Sequence, residues 1–457
     1  MPQKPPISLS RRALLGAAAA SALMPAVARA DSWAPVAAIL KQIVPPVFPA
    51  HDFDIRDYGA KAGDQAATSS AIAKAIDACS AADGGRVVVP AGTWPTGPVV
   101  LKSKTNLYLA VDATLQFSQN PADYPLVPTR FEGVECMNYS PFIYAFGETD
   151  IAITGEGTLD GQADDAHWWY WKSKTATAAG GDSRLRLFAM GDVPVKDRVM
   201  GDGNYLRPNF IQPYRCKNIL IEGIKIVRSP MWEIHPVLSE NITVRKVRIE
   251  SRGPNNDGCD PECCRNVLIE DCVFDTGDDC IAIKSGRNVD GRRINMPSEN
   301  IVVRNCRMIG GHGGVSLGSE ASGGIRNIYV RDCHMGSPNL DRALRLKSNS
   351  YRGGYIENIV FRDIQIDQVA EDIVQITLDY GEGRGGGFNP RLGHVTIENV
   401  TCGKAKRAFD FKGYPDNVIE AIIVKNCAFD GVESASVVED VKLTAVNVRI
   451  NGAAYTV

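Results

Sequence analysis

The sequence carries almost no excess of charge of either sign. Its 457 residues include 50 Lys and Arg against 53 Asp and Glu, which gives a formal net charge of -3. A chain so close to neutral is not drawn to nucleic acid or to an anionic membrane by bulk charge, so neither partner is expected. A polyanionic ligand would instead need a local basic site.

Long apolar runs and long helical patterns are also missing. After residue 30, no run approaches the roughly 20 apolar residues that a membrane-spanning helix needs. Amphipathic helical patterns are nearly absent after residue 80. These absences argue against a membrane span and against a helical fold.

Zinc-finger spacing is absent too. Cys259, Cys263 and Cys264 lie close together, but no second Cys/His pair stands at finger spacing, so a zinc site is not expected. Among the twelve cysteines, several share one repeat position, each after an Asn or Asp: Cys272, Cys306, Cys333 and Cys427. That regularity favours stacked, buried thiols that act as small hydrophobic residues over a disulfide framework.

The first thirty residues have the pattern of an export signal. A basic, polar start leads to Arg11-Arg12 and an Ala/Leu run, and Ala28-Arg29-Ala30 matches a small-x-small cleavage site. The paired arginines favour twin-arginine export, with an ordinary Sec signal as the alternative. We therefore expect an exported protein, periplasmic or extracellular, with residues 31–52 as an N-terminal extension.

One short motif recurs along the second half of the chain. An Asn, once a His, is followed by a short apolar strand at Asn218, Asn241, Asn266, Asn300, Asn327, Asn358 and His394. Spacings of roughly 23 to 36 residues are typical of a solenoid whose turns carry loops of different lengths. Because the strands alternate apolar and polar residues, we predict an all-β fold, a right-handed parallel β-helix with the repeated amides stacked at a bend.

One good helical pattern, Thr68 to Cys79, precedes the first clear strand and has an apolar face of Ala71, Ile72, Ala75 and Ile76. We expect this helix to cover the open N-terminal end of the solenoid, which would otherwise expose unpaired backbone groups. No interdomain linker is visible, so residues 53–457 are predicted to form a single domain.

Four segments are more polar than a structural strand requires: Asn255-Asn256-Asp257-Gly258, Gly277-Asp278-Asp279-Cys280, Gly311-His312-Gly313 and Arg345-Leu346-Lys347. Their separations of roughly 21, 34 and 33 residues each match one solenoid turn, so they should lie in successive rungs of one column. With strands about 4.8 Å apart, Asp257, Asp278 and Asp279 would lie within several ångströms of one another. Asp278 and Asp279 reach one cleft only if the chain bends, which Gly277 permits.

Carboxylates this close raise one another's proton affinity, which can keep a general acid protonated while its neighbours stay ionised. An inverting glycosidase needs that division between an acid and a base. Arg345 and Lys347 suit the carboxylate of a sugar acid. The alternatives are a calcium site at the aspartates, a packed core position for His312 and a solvated face for the two cations.

At these residues the sequence closely resembles glycoside hydrolase family 28, the polygalacturonases. The family's segments Asn-x-Asp, (Gly/Gln)-Asp-Asp, Gly-His-Gly and Arg-(Ile/Leu)-Lys all occur here in order. Phe53 to Ala60 and Pro90 to Thr93 resemble the family's N-terminal part, so the resemblance covers nearly the whole chain after the export signal.

The resemblance implies that Asp278 is the general acid, that Asp257 and Asp279 activate the attacking water, and that His312 supports the acid. The residues that we assign to substrate binding are Asn255, Arg345, Lys347, Tyr380 and Lys284. The implied reaction is hydrolysis of α-1,4-galacturonic acid linkages in pectin by a monomer, without a metal or an organic cofactor.

The region from Gly161 to Tyr214 is similar to insertions that close one end of the groove in bacterial exo-acting members, so exo action is favoured over endo. Its aromatic run, His167 to Trp171, either stacks on sugars or packs the loop. Members of the family that act on rhamnogalacturonan tend to lack the His or the Arg-x-Lys, so the presence of His312 and of Arg345-x-Lys347 favours a homogalacturonan-like substrate. A rhamnogalacturonan or xylogalacturonan hydrolase stays an alternative.

Two other classes of protein remain open as alternatives. β-Helical, calcium-dependent pectate lyases bind the ion at acidic clusters and cleave by elimination, and a non-catalytic carbohydrate-binding β-helix would bind pectin without cleaving it. If the reaction inverts, Asp278 should lie roughly 6.5 to 9.5 Å from the base carboxylate, whereas an approach to about 5 Å argues for retention.

Overall fold

The computed structural model describes residues 31–175, 177 and 180–456, so the predicted export signal lies outside the described residues. From Asp52 onward the chain winds into a right-handed parallel β-helix, which confirms the predicted fold. In the described part of the chain, no helix is long and apolar enough to span a membrane.

The strands follow one another in short turns of the solenoid. Those before the long insertion are β1 (Asp52–Asp54), β2 (Gly85–Val89), β3 (Gly92–Thr96), β4 (Val99–Val100), β5 (Thr105–Leu109), β6 (Ala113–Phe117), β7 (Leu126–Phe131), β8 (Val134–Tyr139), β9 (Ile143–Phe146), β10 (Thr149–Gly155) and β11 (Thr158–Asp160). Those of the middle turns are β12 (Ile211–Tyr214), β13 (Lys217–Glu222), β14 (Lys225–Val227), β15 (Glu240–Arg245), β16 (Arg248–Ser251), β17 (Arg265–Glu270), β18 (Val273–Thr276), β19 (Ile281–Ile283), β20 (Ser298–Arg304), β21 (Arg307–Gly310), β22 (Val315–Leu317), β23 (Ile325–Arg331), β24 (His334–Met335) and β25 (Leu344–Lys347). The last are β26 (Tyr355–Ile366), β27 (Asp372–Thr377), β28 (Arg391–Cys402), β29 (Ala405–Lys412), β30 (Ile419–Phe429), β31 (Val432–Ser434), β32 (Val437–Glu439), β33 (Val441–Ile450) and β34 (Ala453–Ala454).

These strands stack into three columns with parallel pairing inside each column. The first column runs from β1 through β2, β5, β10, β13, β15, β17, β20 and β23 to β26, and the second runs from β3 through β6, β11, β14, β16, β18 and β21 to β24. The third joins β4, β9 and β12 through single bridges at Ile234 and Cys259 to β19, β22, β25, β27 and β29. Inward-facing apolar residues from all three columns form one continuous core.

The repeated Asn residues form the expected ladder of amides. The Asn241 amide donates to the Asn218 side-chain oxygen at 2.6 Å, and Asn327 donates to Asn300 at 3.0 Å. The six repeat asparagines also have φ between 57° and 59°, in the left-handed region. Asn tolerates that region better than other residues with side chains, which explains why it marks this bend in each turn.

All twelve cysteines are free and buried, which confirms that they act as small core residues. Cys259, Cys263 and Cys264 are among them. In the residues that the structure describes, the one group of His, Cys, Asp or Glu side chains with metal-ligand spacing consists of Asp257, Asp278 and Asp279.

The helices are α1 (Val36–Leu40), α2 (Gln65–Ala81), α3 (Trp171–Thr175), α4 (Gly181–Met190) and α5 (Asn288–Ile294), with 3-10 helices at Ile55–Tyr58, Pro121–Asp123 and Val195–Asp197. The predicted terminal helix is α2, whose apolar face is buried against the first turn of the solenoid. It begins three residues earlier than predicted because the Asp64 carboxylate accepts the backbone N–H of Ala67 at 3.0 Å and caps the helix there.

The N-terminal extension lies across the outside of the first column. Apolar residues of and beside α1 pack on outward-facing side chains of β17, β20, β23 and β26, namely Leu268, Val302, Tyr329 and Val360. The Asn241 amide fixes the end of this segment, because it accepts from the Val44 N–H at 2.9 Å and donates to the Val44 carbonyl at 3.0 Å.

Candidate active site

The structure brings the four polar segments together at the third column. Asp257 precedes the bridge at Cys259, Asp278 and Asp279 precede β19, His312 precedes β22, and β25 contains Arg345 and Lys347. In successive rungs Cys259 pairs with Ile281, Ile281 with Val315, and Val315 with Leu344. The spacing argument therefore predicted the juxtaposition correctly.

The three aspartates converge, but they differ in exposure. Each offers a carboxylate oxygen within 4.8 Å of one from each of the other two. Asp257 and Asp279 are buried, whereas Asp278 is partly exposed and faces a cleft of about 580 Å³. Asp278 is thus the carboxyl group with the freest approach to a ligand.

Gly277 makes the bend possible for a different reason from the predicted one. Its φ is not in the left-handed region. A Cβ at this position would lie 2.1 Å from the Gly253 carbonyl oxygen of the neighbouring rung. Glycine is required because the two backbones approach so closely.

The two buried carboxylates have opposite electrostatic environments. Burial raises the pKa of Asp257 well above its ordinary value, and the nearby Asp260 and Asp278 carboxylates raise it further. Burial also acts on Asp279, but Lys347 at 2.7 Å and Arg345 at 3.6 Å outweigh it and hold the pKa of Asp279 well below its usual range. At neutral pH Asp279 is therefore an anion fixed by two cations.

These cations also decide how well a metal would fit. A calcium ion needs free carboxylate oxygens, yet those of Asp279 face Lys347 and Arg345, and Lys284 lies 3.6 Å from Asp257. Three cationic side chains would repel a divalent cation placed between the aspartates. The cluster is a poor calcium site.

The distance between the carboxylates differs from the expectation for an inverting enzyme. One oxygen of each carboxylate lies within 4.8 Å of one oxygen of each of the other two, so the nearest oxygens are closer than the roughly 6.5 to 9.5 Å expected between the carboxyl groups of inverting glycosidases. The reason is that Asp257 and Asp278 stand on adjacent rungs of one column, whose spacing is about 4.8 Å. By this spacing alone the site does not favour inversion.

His312 is exposed and interacts with the charge of Asp278, so it does not occupy a packed core position. Its side chain is 52% exposed, and its Nδ1 lies 2.7 Å from Asp341 Oδ2. The hydrogen bond to Asp341 raises the pKa of His312, and the charge of Asp278 adds to this effect. Sequence reasoning missed Asp341, because it stands in the connection that leads to the next rung and belongs to no recurring motif.

Arg345 and Lys347 flank the aromatic ring of Tyr380. Their cationic groups lie 5.4 and 5.3 Å from the ring centroid, and Tyr380 lines the cleft together with Lys347. Tyr380, which follows β27 in the chain, is therefore part of the cleft wall. Both cations also contact Asp279, so they serve the acidic cluster as well as the cleft.

Asn255 connects the acidic cluster to the insertion. Its side-chain oxygen accepts hydrogen bonds from Lys172 Nζ and Arg207, each at 2.7 Å, and its amide lies 3.5 Å from Asp278 Oδ2. Lys172 and Arg207 were not predicted, since nothing in an irregular loop shows which side chains reach the column. They orient Asn255 toward the exposed aspartate.

Lys284 is buried among carboxylates. Its Nζ lies 3.6 Å from Asp257, Asp260 and Glu320 and 4.4 Å from the centroid of the Trp232 ring. Asp260 is fully buried, and the sequence motifs did not single it out. Lys284 thus lines the cleft but is almost completely buried there, with its ammonium group among carboxyl groups.

The wall of the cleft contains ion pairs between distant segments. Arg287, before α5, bonds to Glu132 in the β7–β8 turn at 2.8 Å and to Glu382 in the loop after β27 at 3.2 Å. Arg352 reaches Glu382 at 3.1 Å, and Arg186 of α4 reaches it at 3.6 Å. These segments therefore meet at the cleft wall.

The aromatic run of the insertion mainly packs the loop. Trp168 and Trp171 are buried in the main core cluster. The Trp169 indole N–H donates to the Ser229 carbonyl at 2.8 Å, and Tyr170 is exposed. Of the two alternatives for this run, the structure favours loop packing over sugar stacking for the tryptophans.

Known proteins resemble the chain over most of its length. A probable polygalacturonase of Vitis vinifera is 29% identical over 393 residues, which cover 82% of this chain and 74% of that protein. An exo-poly-alpha-D-galacturonosidase of Dickeya chrysanthemi is 29% identical over 76% of this chain and 61% of its own length. A solved structure of a hyperthermoactive exopolygalacturonase from Thermotoga maritima is 42% identical, with a TM-score of 0.88 over 92% of this chain and 96% of that chain.

A family model agrees with these likenesses. The model described as glycosyl hydrolases family 28 matches residues 79–447, which include α5 and every rung that contributes to the acidic cluster. Since that match covers far more than half of the sequence, the chain belongs to glycosyl hydrolase family 28.

Proposed function

We propose that this glycosyl hydrolase cleaves α-1,4-galacturonic acid linkages of homogalacturonan and releases galacturonic acid from chain ends. The observation that carries the proposal is the acidic column, in which the partly exposed Asp278 faces a cleft lined by Lys347, Arg287 and Tyr380. Cations along the cleft suit a substrate with one carboxylate per sugar. The proposal is supported by the polygalacturonase names of the similar proteins.

In the proposed reaction, Asp278 donates its proton to the glycosidic oxygen as the bond from that oxygen to C1 breaks. A water attacks C1, and its proton passes to Asp257, whose Oδ1 has no hydrogen-bond partner in the described part of the chain. Asp279, held as an anion by Lys347, orients this water and stabilises positive charge that develops at C1. The reaction consumes one water for each linkage that it cleaves.

We further propose that the reaction inverts the anomeric carbon, despite the short spacing of the carboxylates. A retaining enzyme needs a carboxylate that can bond to C1 as a nucleophile. Asp279 is fully buried and bound by two cations, and Asp257 is 3% exposed. Neither is free to approach a sugar carbon, whereas both can hold a water between them.

Exo action is supported by the ion pairs that join distant segments at the cleft wall. A polymer threaded through an open groove would have to displace Glu132, Arg287 and Glu382. A chain end needs no such displacement. We also propose that the β-helix from residue 53 onward is the catalytic domain, that the protein acts as a monomer, and that it is exported before it acts.

Three measurements on polygalacturonate test these points together. Chromatography over time should show galacturonic acid alone from the start, and NMR of the first product should show the β-anomer. Cleavage should persist in chelator without an ultraviolet-absorbing unsaturated end. A spread of oligomers would contradict exo action, a first α-anomer would contradict inversion, and an unsaturated product would contradict hydrolysis.

Asp278→Asn tests the assignment of the acid. Removal of a general acid typically lowers turnover by about 100- to 10,000-fold, so we expect a loss of that size in kcat with KM nearly unchanged. Asp275→Asn is the matched control, since Asp275 is nearby in the chain but pairs with Arg252 outside the cleft at 2.8 Å. Near-normal turnover of Asp278→Asn would contradict the mechanism.

A further inference from the structure

The acidic cluster continues below the cleft floor. Asp260 is fully buried, three residues beyond Asp257, and neither of its carboxylate oxygens has a hydrogen-bond partner among the described residues. Its one ion-pair contact in the described part of the chain is Lys284 Nζ at 3.6 Å. A buried carboxylate without hydrogen bonds is costly, so a structural position alone does not account for Asp260.

The ammonium group of Lys284 lies at the same distance from three carboxyl groups. Its Nζ is 3.6 Å from Asp257 Oδ2, Asp260 Oδ2 and Glu320 Oε2, and the residue is 3% exposed. Glu320 has a second cation, Arg287, at 3.9 Å. Among residues that the structure describes, no other Lys, Arg or His nitrogen comes within 4.0 Å of the Asp257 carboxylate.

We infer that Lys284 and Asp260 form a buried positioning pair that sets the protonation of Asp257, an inference that rests on the proposed function. Lys284 favours the ionised form of Asp257 that accepts the proton of water. Asp260 competes with Asp257 for the same ammonium group and, when it is ionised, adds a like charge nearby; burial raises the pKa of Asp260 as well, and Lys284 lowers it. The balance between the two fixes the pH at which the base becomes available.

The same contacts argue against the predicted role of Lys284 in substrate binding. Three carboxylates already surround its ammonium group, and the Trp232 ring covers it at 4.4 Å from the centroid. A sugar carboxylate would have to displace one of these buried anions. Lys284 therefore acts on the substrate through Asp257.

Charged groups on every adjoining rung contribute to this balance. The rung below contributes Glu233 and His235, which pairs with Glu262 on the rung of Asp257 itself, and Glu262 also binds Arg130 at 2.9 Å. The insertion contributes Arg207, which interacts with the charges of Asp257 and Asp278. The rungs above contribute Asp278, Asp279 with Lys347 and Arg345, and Glu320 with Arg287. Since Asp279 and Glu262 each contact their own cations, Lys284 and Asp260 are the groups whose change acts most directly on Asp257.

The direction of the pKa of Asp257 supports the inference. Burial and the Asp260 and Asp278 charges raise it, while Lys284 lowers it. A base with a raised pKa is ionised, and so active, only above that pKa. Activity should therefore fall on the acid side as Asp257 takes up a proton, and loss of Lys284 should move this acid limb to higher pH.

Two substitutions should shift the acid limb of kcat in opposite directions. Lys284→Met removes the cation and should move the limb up by about one pH unit or more. Asp260→Asn keeps the shape, removes the competing anion and should move the limb down. Lys284→Arg restores the charge and should return the limb toward that of the wild type, while Lys404→Met, at an exposed lysine far along the solenoid, should leave it in place.

A purely structural role would lower activity at every pH without opposite shifts, and a substrate-binding role would raise KM more than it lowers kcat. Either result, or an unmoved limb in both variants, would overturn the inference. Failure of the proposed function shows itself differently: the wild type would release no galacturonic acid, or Asp278→Asn would remain active. Because Asp260→Asn is isosteric, it tests the pair even if Lys284→Met does not fold.

Discussion

At the scale of the residue, the role of each buried aspartate in the cluster depends on the cation that it contacts. Lys347 and Arg345 were predicted to face the substrate, but Lys347 is only 5% exposed and binds Asp279 at 2.7 Å. The motifs identified all of these residues. They could not show that the lysine bonds inward, because that depends on the side-chain path between rungs 68 residues apart.

His312 should control the alkaline limb of the pH profile. Its hydrogen bond to Asp341 raises its pKa, so the imidazolium beside Asp278 persists to higher pH and is lost only above the raised pKa. Asp341→Asn removes the main cause and should move the alkaline limb of kcat to lower pH. Titration of activity between pH 5 and about 9 measures the shift.

Asp367→Asn is the matched control for this substitution. Asp367 forms a similar pair with His334 at 2.8 Å, but that pair lies on the second column, away from the cleft. The control should leave both limbs in place. If Asp341→Asn leaves the alkaline limb unmoved, His312 does not act as a cation in the reaction.

At the scale of the element, the Asn ladder contributes to stability in two ways, through its amide hydrogen bonds and through the left-handed backbone conformation that Asn tolerates. Asn300 has φ of 58°, donates to Asn266 at 3.2 Å and accepts from Asn327 at 3.0 Å. Asn300→Ala loses both amide bonds and puts a Cβ in the left-handed region, so unfolding in urea should show a loss of about 2 kcal/mol. Asn300→Gly loses only the amides and should recover about 1 kcal/mol of this.

Equal losses in the two variants would mean that the backbone conformation contributes nothing at this bend. A loss of unfolding free energy near zero in Asn300→Ala would mean that the ladder is not a source of stability. Either variant should keep its activity at low denaturant, because Asn300 lies on the first column and the cleft lies at the third.

Sequence periodicity predicted the repeating elements well and the inserted elements poorly. The strands that contain Asn218, Asn266 and Asn300 near their starts were recognised because the same side chain must occupy the same bend in every turn. The hairpin of β7 and β8 was not, since it occurs once, and its turn at Glu132-Gly133, with φ of 43° and 82°, lacks the Asn-Gly or Asp-Gly pair that marks such turns.

At the scale of the whole molecule, the ion pairs at the cleft wall predict a change in products when they are broken. Glu382 contacts Arg186, Arg287 and Arg352, which would repel one another without it. Glu382→Gln should therefore loosen the loop after β27 and open the groove. We expect galacturonate oligomers beside the monomer in the early products, measured by chromatography.

Arg384→Gln is the control on the same loop, since Arg384 pairs with Asp416 of the next turn and not with the arginine group. It should give monomer alone. If Glu382→Gln also gives monomer alone at normal rates, the ion pairs do not determine exo action.

Those ion pairs were beyond the reach of the sequence. Glu132, Arg186, Arg287 and Glu382 come from four segments that share no motif and no period. The prediction that the insertion closes one end of the groove came from resemblance alone. The solenoid fixes where each loop starts, but the meeting of loops depends on their individual paths.

The N-terminal extension gives the molecule a connection that a stack of turns does not have. In a solenoid each turn contacts only its neighbours, so turns can be lost one by one from an end. Here a short segment touches Leu268, Val302, Tyr329 and Val360 on four successive turns. If one of those turns unfolded, the segment would lose its packing on the other three. These four turns should therefore unfold together and not one after another.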